Sequence, residues 1–450
     1  MNLGDLEMRI DGMVDLDEFA LCPEGLAAVA KRTESHTAGG GRRVVGGKFP
    51  AGWQAAAGMI PRGGCSRPPV NSSVTSPTPD KDFQMDLLSR RVFTAAVAGS
   101  ALTAATPARG RVRRVGGETI LGEEGHSFRV KHHFPQLPDR FSWQTTHNVA
   151  VDSAGNLYVI HEGHKNQKDH PAIFVFDPAG KFMRAFGSEF QGGGHGIEVR
   201  REGTQDFLYV CGYQQVKAFA KLTPEGEIVW YRKAPMESGV YAEGENVSTS
   251  RNWSRQGFLP TNFAFLEPDD PGGPGFLLAD GYGSFRIHRY DTAAAWQSCF
   301  GGPGKGEGKF NTPHGLWIDR RPAADGSARE PRIVVTDRAH NTLQVFGIDG
   351  SYQATISGFG LPANIDTWKN LLVVPELKAC VTLLNEAYEP IVQLGRAVER
   401  LDSIKNLRGQ PQKWLDGEFV HPHDACFTPE GDLYVAEWVA TGRVTKLERV

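Results

Sequence analysis

Histidines occupy four of the six positions at which a repeated strand pattern restarts along this sequence. In chain order the six residues are His147, His195, Thr261, His314, Ala363 and His423. A lone buried histidine is usually a hydrogen-bonding core residue, but several at matched positions indicate a shared role. Three imidazoles with one open coordination position form a catalytic zinc site. The pattern therefore predicts a metal centre, provided that the fold brings these residues together.

The elements that must position these residues are short strands joined by tight turns. The first unit reads as strands over 147–152, 157–160, 172–176 and 181–186, with turns at 153–156 and 177–180. Ser-Ala-Gly-Asn and Asp-Pro-Ala-Gly at the two turns are residue types that hairpin turns favour. The unit is therefore a four-stranded antiparallel meander.

Six such units start roughly 50 to 65 residues apart, a spacing that fits propeller blades with variable loops. The sequence therefore predicts an all-β, six-bladed β-propeller over 109–450. The last unit lacks room for a fourth strand before Val450, so a strand near 127–130 is expected to complete that blade and close the ring, which removes the open sheet edge. A β-sandwich of similar strands is the alternative, but it does not explain the regular restart.

In a propeller the first strand of each blade lines the central channel. His195, His314 and His423 fall in the second, fourth and sixth blades, which are one third of a turn apart. The three imidazoles should therefore converge on the axis as a three-fold set, and we expect them to bind zinc.

Bulk composition excludes several classes of function. A formal net charge of −3 without a long basic run gives no footprint for nucleic acid. No apolar stretch reaches the roughly 20 residues that a membrane-spanning helix needs. The cysteines have no metal-ligand spacing, and the four in the repeat region could be free thiols or could form a disulfide: Cys211, Cys299, Cys380 and Cys426.

The first hundred residues lack the repeat. Residues 1–84 carry chain breakers throughout and read as disordered or as a wrongly assigned start. Residues 85–108 combine Ser-Arg-Arg-Val-Phe with a short run of small apolar residues, which resembles a twin-arginine signal peptide. We therefore expect a bacterial protein that is exported to the periplasm or the exterior.

Three short motifs surround the alternate-blade histidines: Gly194-His195-Gly196, Pro313-His314-Gly315 and Pro422-His423-Asp424. These motifs resemble the zinc-histidine motifs of peptidyl-α-hydroxyglycine α-amidating lyase, a six-bladed propeller related to the NHL repeats. That enzyme splits a peptidyl-α-hydroxyglycine into a peptide amide and glyoxylate. The resemblance runs through all six blades, from about residue 147 to the end of the sequence.

The resemblance also implies roles for other residues. Tyr282 takes the position of the family's catalytic tyrosine, and Arg338 that of an arginine near the substrate. A phenol beside Zn²⁺ and an arginine can act as a base, because both cations stabilise its phenolate. A structural Ca²⁺ would be held by the carboxylate of Asp424 and the backbone carbonyls of Val149 and Ile197, all hard oxygen ligands.

The rim of the channel departs from the family in three places. Glu162 stands where the family has a second active-site arginine, and His421 where it has a methionine. His147 is an added imidazole that could act as a fourth zinc ligand and close the site. Arg251 and Arg255, in the loop before the third blade, could restore positive charge if they reach the centre.

The leading hypothesis is thus an exported, zinc-dependent lyase that acts on a small-molecule or peptide substrate, with calcium as a second cofactor and a monomeric chain. The alternative is a non-catalytic NHL-type binding propeller with a structural metal on its axis. A gluconolactonase-like hydrolase is disfavoured, since its carboxylate-rich ligand set is absent from these positions.

Overall fold

The computed structural model describes residues 108–123, 125–163, 167 and 169–450. In this part of the chain the strands form six sheets around one axis, and the one α-helix is short. The predicted all-β, six-bladed propeller with four-stranded antiparallel blades is confirmed. The interpretations of 1–84 and 85–108 concern residues outside the described part, apart from Ala108, and stay predictions.

Four strands precede the first blade, and every blade then contributes three or four strands in chain order. The leading strands are β1 (Ala108–Arg109), β2 (Arg113–Val115), β3 (Glu118–Glu123) and β4 (His126–Lys131). Blade one contains β5 (Thr146–Val151), β6 (Leu157–His161), β7 (Ile173–Phe176) and β8 (Phe182–Phe186). Blade two contains β9 (Gly194–Glu202), β10 (Gln205–Gly212), β11 (Ala218–Leu222) and β12 (Ile228–Arg232). Blade three contains β13 (Asn262–Leu266), β14 (Gly275–Asp280), β15 (Arg286–Asp291) and β16 (Trp296–Gly301).

The second half of the ring follows the same order. Blade four contains β17 (Pro313–Asp319), β18 (Arg332–Asp337), β19 (Thr342–Gly347) and β20 (Tyr352–Ser357). Blade five contains β21 (Asp366–Trp368), β22 (Leu371–Glu376), β23 (Cys380–Leu384) and β24 (Pro390–Leu394). Blade six contains β25 (Pro422–Phe427), β26 (Leu433–Glu437) and β27 (Arg443–Arg449). The helical segments are α1 (Val398–Ser403) and 3₁₀ turns at Ser188–Phe190, Met236–Ser238, Arg338–His340, Leu407–Gly409 and Pro411–Lys413.

Residues near the start of the described chain extend the last two sheets. β4 pairs antiparallel with β27, with Phe128 opposite Arg449 and Val130 opposite Leu447. β3 and β2 continue this sheet outward, while β1 runs parallel to β24 on the edge of blade five. Strands from both ends of the described propeller thus share one sheet.

Local turn chemistry forms the hairpins. In the first turn, Asp152 Oδ1 accepts the backbone N–H groups of Ala154 and Asn156 at 3.0 and 2.8 Å. Gly155 between them has φ of 82°, a conformation that glycine adopts without steric cost. Asp177 Oδ1 caps the second turn of the same blade in the same way, bonding to Ala179 N at 3.0 Å.

Apolar side chains fill the space between neighbouring blades, so each sheet is buried on both faces. Six clusters correspond to the six interfaces; between blades one and two, for example, Ile160 and Ile173 pack with Ile197 and Val210. The described cysteines are free thiols. No described helix is long and apolar enough to cross a bilayer.

A buried ion pair fixes the loop that leads into β25. Arg443 Nη2 donates to Glu437 Oε1 at 2.8 Å, and both side chains are almost fully buried. The same carboxylate oxygen accepts the backbone N–H of Val420 at 2.8 Å. The pair therefore ties β26 and β27 to the segment that carries His423.

Candidate metal centre

All four rim histidines lie in β-bulges of the innermost strands. In blade one, Thr146 pairs with His161 and Asn148 with Ile160, which leaves His147 as the extra residue. The ladders of blades two, four and six shift register at His195, at His314 and at His423. A bulge re-aims a side chain that regular pleating would send into a blade interface. The bulges thus direct these imidazoles towards the axis.

The four imidazoles form one cluster. Ring centroids are 4.7 Å apart for His147 and His195, 4.8 Å for His195 and His314, 4.7 Å for His314 and His423, and 4.8 Å for His423 and His147. Each of the four histidines is at most 3% exposed. The three histidines predicted to converge are therefore brought together, with His147 as a fourth member.

Backbone carbonyls orient three of the four rings. In these three, Nδ1 lies 2.7–2.9 Å from the carbonyl oxygen of the rim residue one blade further on. The pairs are His195 with Thr261, His314 with Ala363 and His423 with His147. A ring that donates Nδ1–H to a carbonyl has a bare lone pair on Nε2, which is the usual arrangement of a metal-binding histidine.

Burial keeps these rings neutral. Desolvation holds the pKa of His195, His314 and His423 well below the ordinary histidine value, and nearby imidazoles and Arg338 lower the pKa further. For His147 the same causes, with Arg408 and Arg338 as the charges, lower the pKa to about 3. Neutral imidazole is the form that binds a metal.

Two of the donor atoms have the separation of zinc ligands. The Nε2 atoms of His195 and His314 are 3.2 Å apart, and two nitrogens bound tetrahedrally to one zinc at about 2.0–2.1 Å would lie about 3.3 Å apart. His423 Nε2 is buried without a hydrogen-bond partner in the described part of the chain, and nitrogens of His147, His195 and His423 all lie within 4.8 Å of one another.

Tyr282 and Arg338 meet at the same centre. The Tyr282 hydroxyl is 3.0 Å from His314 Nε2 and 3.4 Å from His195 Nε2. Arg338 Nη1 donates to this hydroxyl at 2.9 Å, and its guanidinium lies 4.9 Å from the centre of the Tyr282 ring. A phenol, a guanidinium and the histidine nitrogens thus surround one point.

A buried carboxylate shapes the loop that presents Tyr282. Asp280, at the end of β14, accepts the backbone N–H groups of Leu259 at 2.7 Å and of Ser284 at 2.8 Å. The Tyr241 hydroxyl donates to the same group at 3.0 Å. In the stretch Ala279-Asp280-Gly281-Tyr282 the aspartate thus fixes the turn, and the tyrosine two residues later points to the axis.

Glu162 reaches the rim of the cluster, where its Oε2 lies 3.8 Å from His147 Nε2. Its other carboxylate oxygen accepts a hydrogen bond from the Gln214 amide, which also donates to the Tyr213 hydroxyl at 2.8 Å. Arg251 Nη1 donates to Gln214 Oε1 at 3.3 Å. One of the two candidate arginines therefore joins this network.

The other two rim candidates have different surroundings. Arg255 packs on the Phe285 ring at 3.5 Å and donates to the backbone carbonyl of Trp253 at 2.6 Å. His421 bonds through Nδ1 to the Leu377 carbonyl at 2.6 Å, and its ring contacts Trp438 instead of the four clustered imidazoles.

An oxygen-rich region lies deeper in the channel. Asp424 Oδ2 accepts the backbone N–H of Val149 at 2.8 Å, and Asp424 Oδ1 accepts the Asn364 amide at 2.5 Å. With its amide oriented to satisfy both ends, Asn148 donates to Asp424 and accepts the Ile197 N–H at 3.3 Å. The N–H and C=O of one strand residue point to the same side, so the carbonyls of Val149 and Ile197 face the channel as well. The predicted calcium ligands are thus gathered near Asp424.

Sequence reasoning missed two further carboxylates in this region. Glu198 and Asp366 line, with Asp424, a cavity of about 340 Å³ that leads towards the opposite mouth. Burial raises the pKa of Asp366 and of Asp424 to about 7, and burial followed by repulsion from these two raises the pKa of Glu198 well above its ordinary value. Among the described residues, no lysine or arginine lines the cavity. Such a set of carboxylates and carbonyls suits a hard cation.

Comparison with known proteins gives structural similarity alone. No family model and no curated protein matches the sequence. Virginiamycin B lyase from Staphylococcus aureus is similar, with a TM-score of 0.41 and 11% identity over 72% of this chain and 100% of that chain. A catalytically inactive variant of that lyase with quinupristin has a TM-score of 0.41 and 12% identity over 76% of this chain and 94% of that chain. A protein of unknown function from Bacteroides thetaiotaomicron has a TM-score of 0.46 and 10% identity over 77% of this chain and 83% of that chain. The fold assignment rests on the six sheets themselves.

Proposed function

We propose that this protein is a zinc-dependent carbon–nitrogen lyase that acts on N-acyl-α-hydroxyglycine compounds. The observation that carries the proposal is the position of the Tyr282 hydroxyl, 3.0 Å from His314 Nε2 and 2.9 Å from Arg338 Nη1. His195, His314 and His423 would hold the zinc, which supplies Lewis acidity that polarises the oxygen atoms of a bound substrate.

The side chains of this protein can perform the proton transfers. Tyr282, as the phenolate stabilised by Arg338, would accept the proton of the substrate hydroxyl. The carbon–oxygen bond becomes a carbonyl while the carbon–nitrogen bond breaks, and the electron pair of that bond goes to the amide nitrogen. Tyr282 then returns the proton to this nitrogen. An amide and glyoxylate leave, and neither water nor an oxidant is consumed.

Arg338 has a second role in this scheme. Its guanidinium is directed at the phenol oxygen and would also attract the carboxylate of the hydroxyglycine. Charge-assisted contact of this kind orients the hydroxyl towards Tyr282, so that the reacting atoms start close together.

The oxygen-rich region deeper in the channel would have a structural role. We propose that Asp424, with the carbonyls of Val149 and Ile197, holds a calcium ion in the channel. Asp424 is 2% exposed, and the described residues that line the cavity include no cationic side chain, so a bound cation would balance its negative charge.

A second candidate function is a binding propeller with a structural metal on its axis. The carboxylate of Glu162, close to His147, favours it, since a negative rim repels an anionic substrate. Stoichiometric zinc without turnover of α-hydroxyglycine compounds would select this candidate.

The test is a glyoxylate-release assay with an N-acyl-α-hydroxyglycine, using zinc-loaded protein and the H314A variant. We expect turnover by the loaded protein, and loss of both zinc and glyoxylate release in the variant. Undiminished turnover by H314A would refute the proposal.

A further inference from the structure

We propose that His147 is a fourth metal ligand and that Glu162 provides the negative charge that balances the centre. The inference rests on the proposed function, because it requires a metal at the three-histidine set. It concerns two residues at which the rim differs from the motifs of the lyase family, and it joins them in one site.

His147 has the position expected of a metal ligand. It is the extra residue of a β-bulge, it is 1% exposed, and its ring lies 4.7 Å from that of His195 and 4.8 Å from that of His423. One of its nitrogens falls within 4.8 Å of the candidate ligand atoms of both neighbours.

Its hydrogen bonding differs from that of the other three histidines. They each bond through Nδ1 to a backbone carbonyl, whereas neither ring nitrogen of His147 has a hydrogen-bond partner in the described part of the chain. A buried polar group without a partner destabilises the fold. A metal ion bound to a nitrogen of the His147 ring would remove most of this destabilisation.

Glu162 is held rigidly beside this ring. Its backbone carbonyl accepts the N–H groups of three consecutive glycines, Gly192, Gly193 and Gly194, at 2.8–3.2 Å. Its backbone N–H donates to Thr145 O at 2.9 Å. The backbone on both sides of this residue is therefore fixed, and the carboxylate lies 3.8 Å from His147 Nε2.

Charge balance explains why a carboxylate belongs there. A divalent metal with four neutral imidazoles carries a charge of +2 in a buried site, and Arg338 adds a further positive charge nearby. Buried charges are normally paired. Glu162 is the carboxylate that the structure places against the cluster, so it lowers the cost of holding the metal.

Four histidine ligands would change how a substrate reaches the zinc. A tetrahedral zinc bound by four histidines has no open position, unlike a three-histidine catalytic site. Substrate could reach the metal only if zinc became five-coordinate or if His147 moved away. His147 would then control access to the centre.

Zinc K-edge X-ray absorption on the wild-type, zinc-loaded protein tests the proposal directly, since it counts the imidazoles around the metal. Four imidazoles are expected. Three imidazoles with one oxygen would overturn the role of His147 and leave the proposed lyase intact. A protein that takes up no zinc at the histidines would overturn the metal centre and, with it, both proposals.

Variants separate the two residues. H147Q should leave three imidazoles and weaken zinc binding, as measured by competition with a chromophoric chelator. H421Q, at a half-buried histidine outside the cluster, should leave the count unchanged. E162Q should keep four imidazoles and weaken zinc binding about 10- to 100-fold, the effect typical of a residue that supports a metal ligand. E189Q, at an exposed glutamate, is its control. Zinc affinity of E162Q within twofold of the wild type would overturn the role of Glu162.

Discussion

Replacement of Tyr282 by phenylalanine removes one hydroxyl from the centre of the site and little else. That hydroxyl lies 3.0 and 3.4 Å from two histidine nitrogens and accepts a hydrogen bond from Arg338 at 2.9 Å. The ring, which packs against His195 and His314, is retained in Y282F. The variant should therefore fold and bind zinc as the wild type does.

The expected effect on rate follows from the proposed role as a proton acceptor. A positioned general base contributes about 10²- to 10⁴-fold to the rate, which corresponds to about 3–5 kcal/mol of activation free energy. We expect kcat for glyoxylate release from an N-acyl-α-hydroxyglycine to fall by this factor in Y282F, with bound zinc unchanged. Y352F, which alters a tyrosine on the outer strand of blade four, should keep wild-type kcat.

Two results would refute this reasoning. A kcat for Y282F within about threefold of the wild type, which is less than 1 kcal/mol of activation free energy, would show that the phenol does not transfer the proton. Loss of zinc from Y282F would show that the hydroxyl holds the metal site together instead.

Three further predictions concern other parts of the molecule. R338Q should lower kcat about 10²- to 10³-fold, the range for loss of one preorganised charge-stabilising donor, while zinc content stays constant; unchanged kcat would remove Arg338 from the mechanism. Calcium at about 100 times its Kd should stabilise the protein by about 2.7 kcal/mol, seen as a higher unfolding temperature, and D424N should abolish the shift; a shift that persists in D424N would place calcium elsewhere. R443A should cost about 3–5 kcal/mol in urea unfolding, because it leaves the buried Glu437 carboxylate unpaired; a loss below about 1 kcal/mol, the range of an exposed pair, would contradict this.

The blades could be predicted from sequence because their signals are local. Asp152 with Gly155, and Asp177 with the glycine three residues after it, mark hairpins by turn chemistry that acts within four residues. The predicted strand boundaries were less exact where strand pairing depends on distant segments of the chain. Ala363, expected to open the first strand of blade five, lies before β21, although its N–H bonds to Pro375 O at 2.9 Å.

The geometry of the histidines was predictable only in part. Equivalent placement on alternate blades follows from the repeat, but the bulges at His147 and His314 depend on register against a neighbouring strand, which no local pattern fixes. The surroundings of Glu162 were missed because Gln214 and Arg251 come from other parts of the chain, 52 and 89 residues later.

The sequence contains a weak indication of the polar groups that surround the carboxylates in the channel. Asn148, Asn262 and Asn364 each follow a rim residue in alternate blades, and their amides bond to one another or to Glu198 and Asp424. This second three-fold set of polar residues predicts a polar axis, just as the histidines predict a metal.

The zinc content of the purified protein, determined by elemental analysis on the sample used for the glyoxylate-release assay, decides whether the histidine cluster is a catalytic zinc centre. We expect stoichiometric zinc, and turnover that disappears when a chelator removes the metal and returns when zinc is restored. Protein that carries no zinc after exposure to it, or that releases glyoxylate equally well without it, would rule out a zinc-dependent lyase.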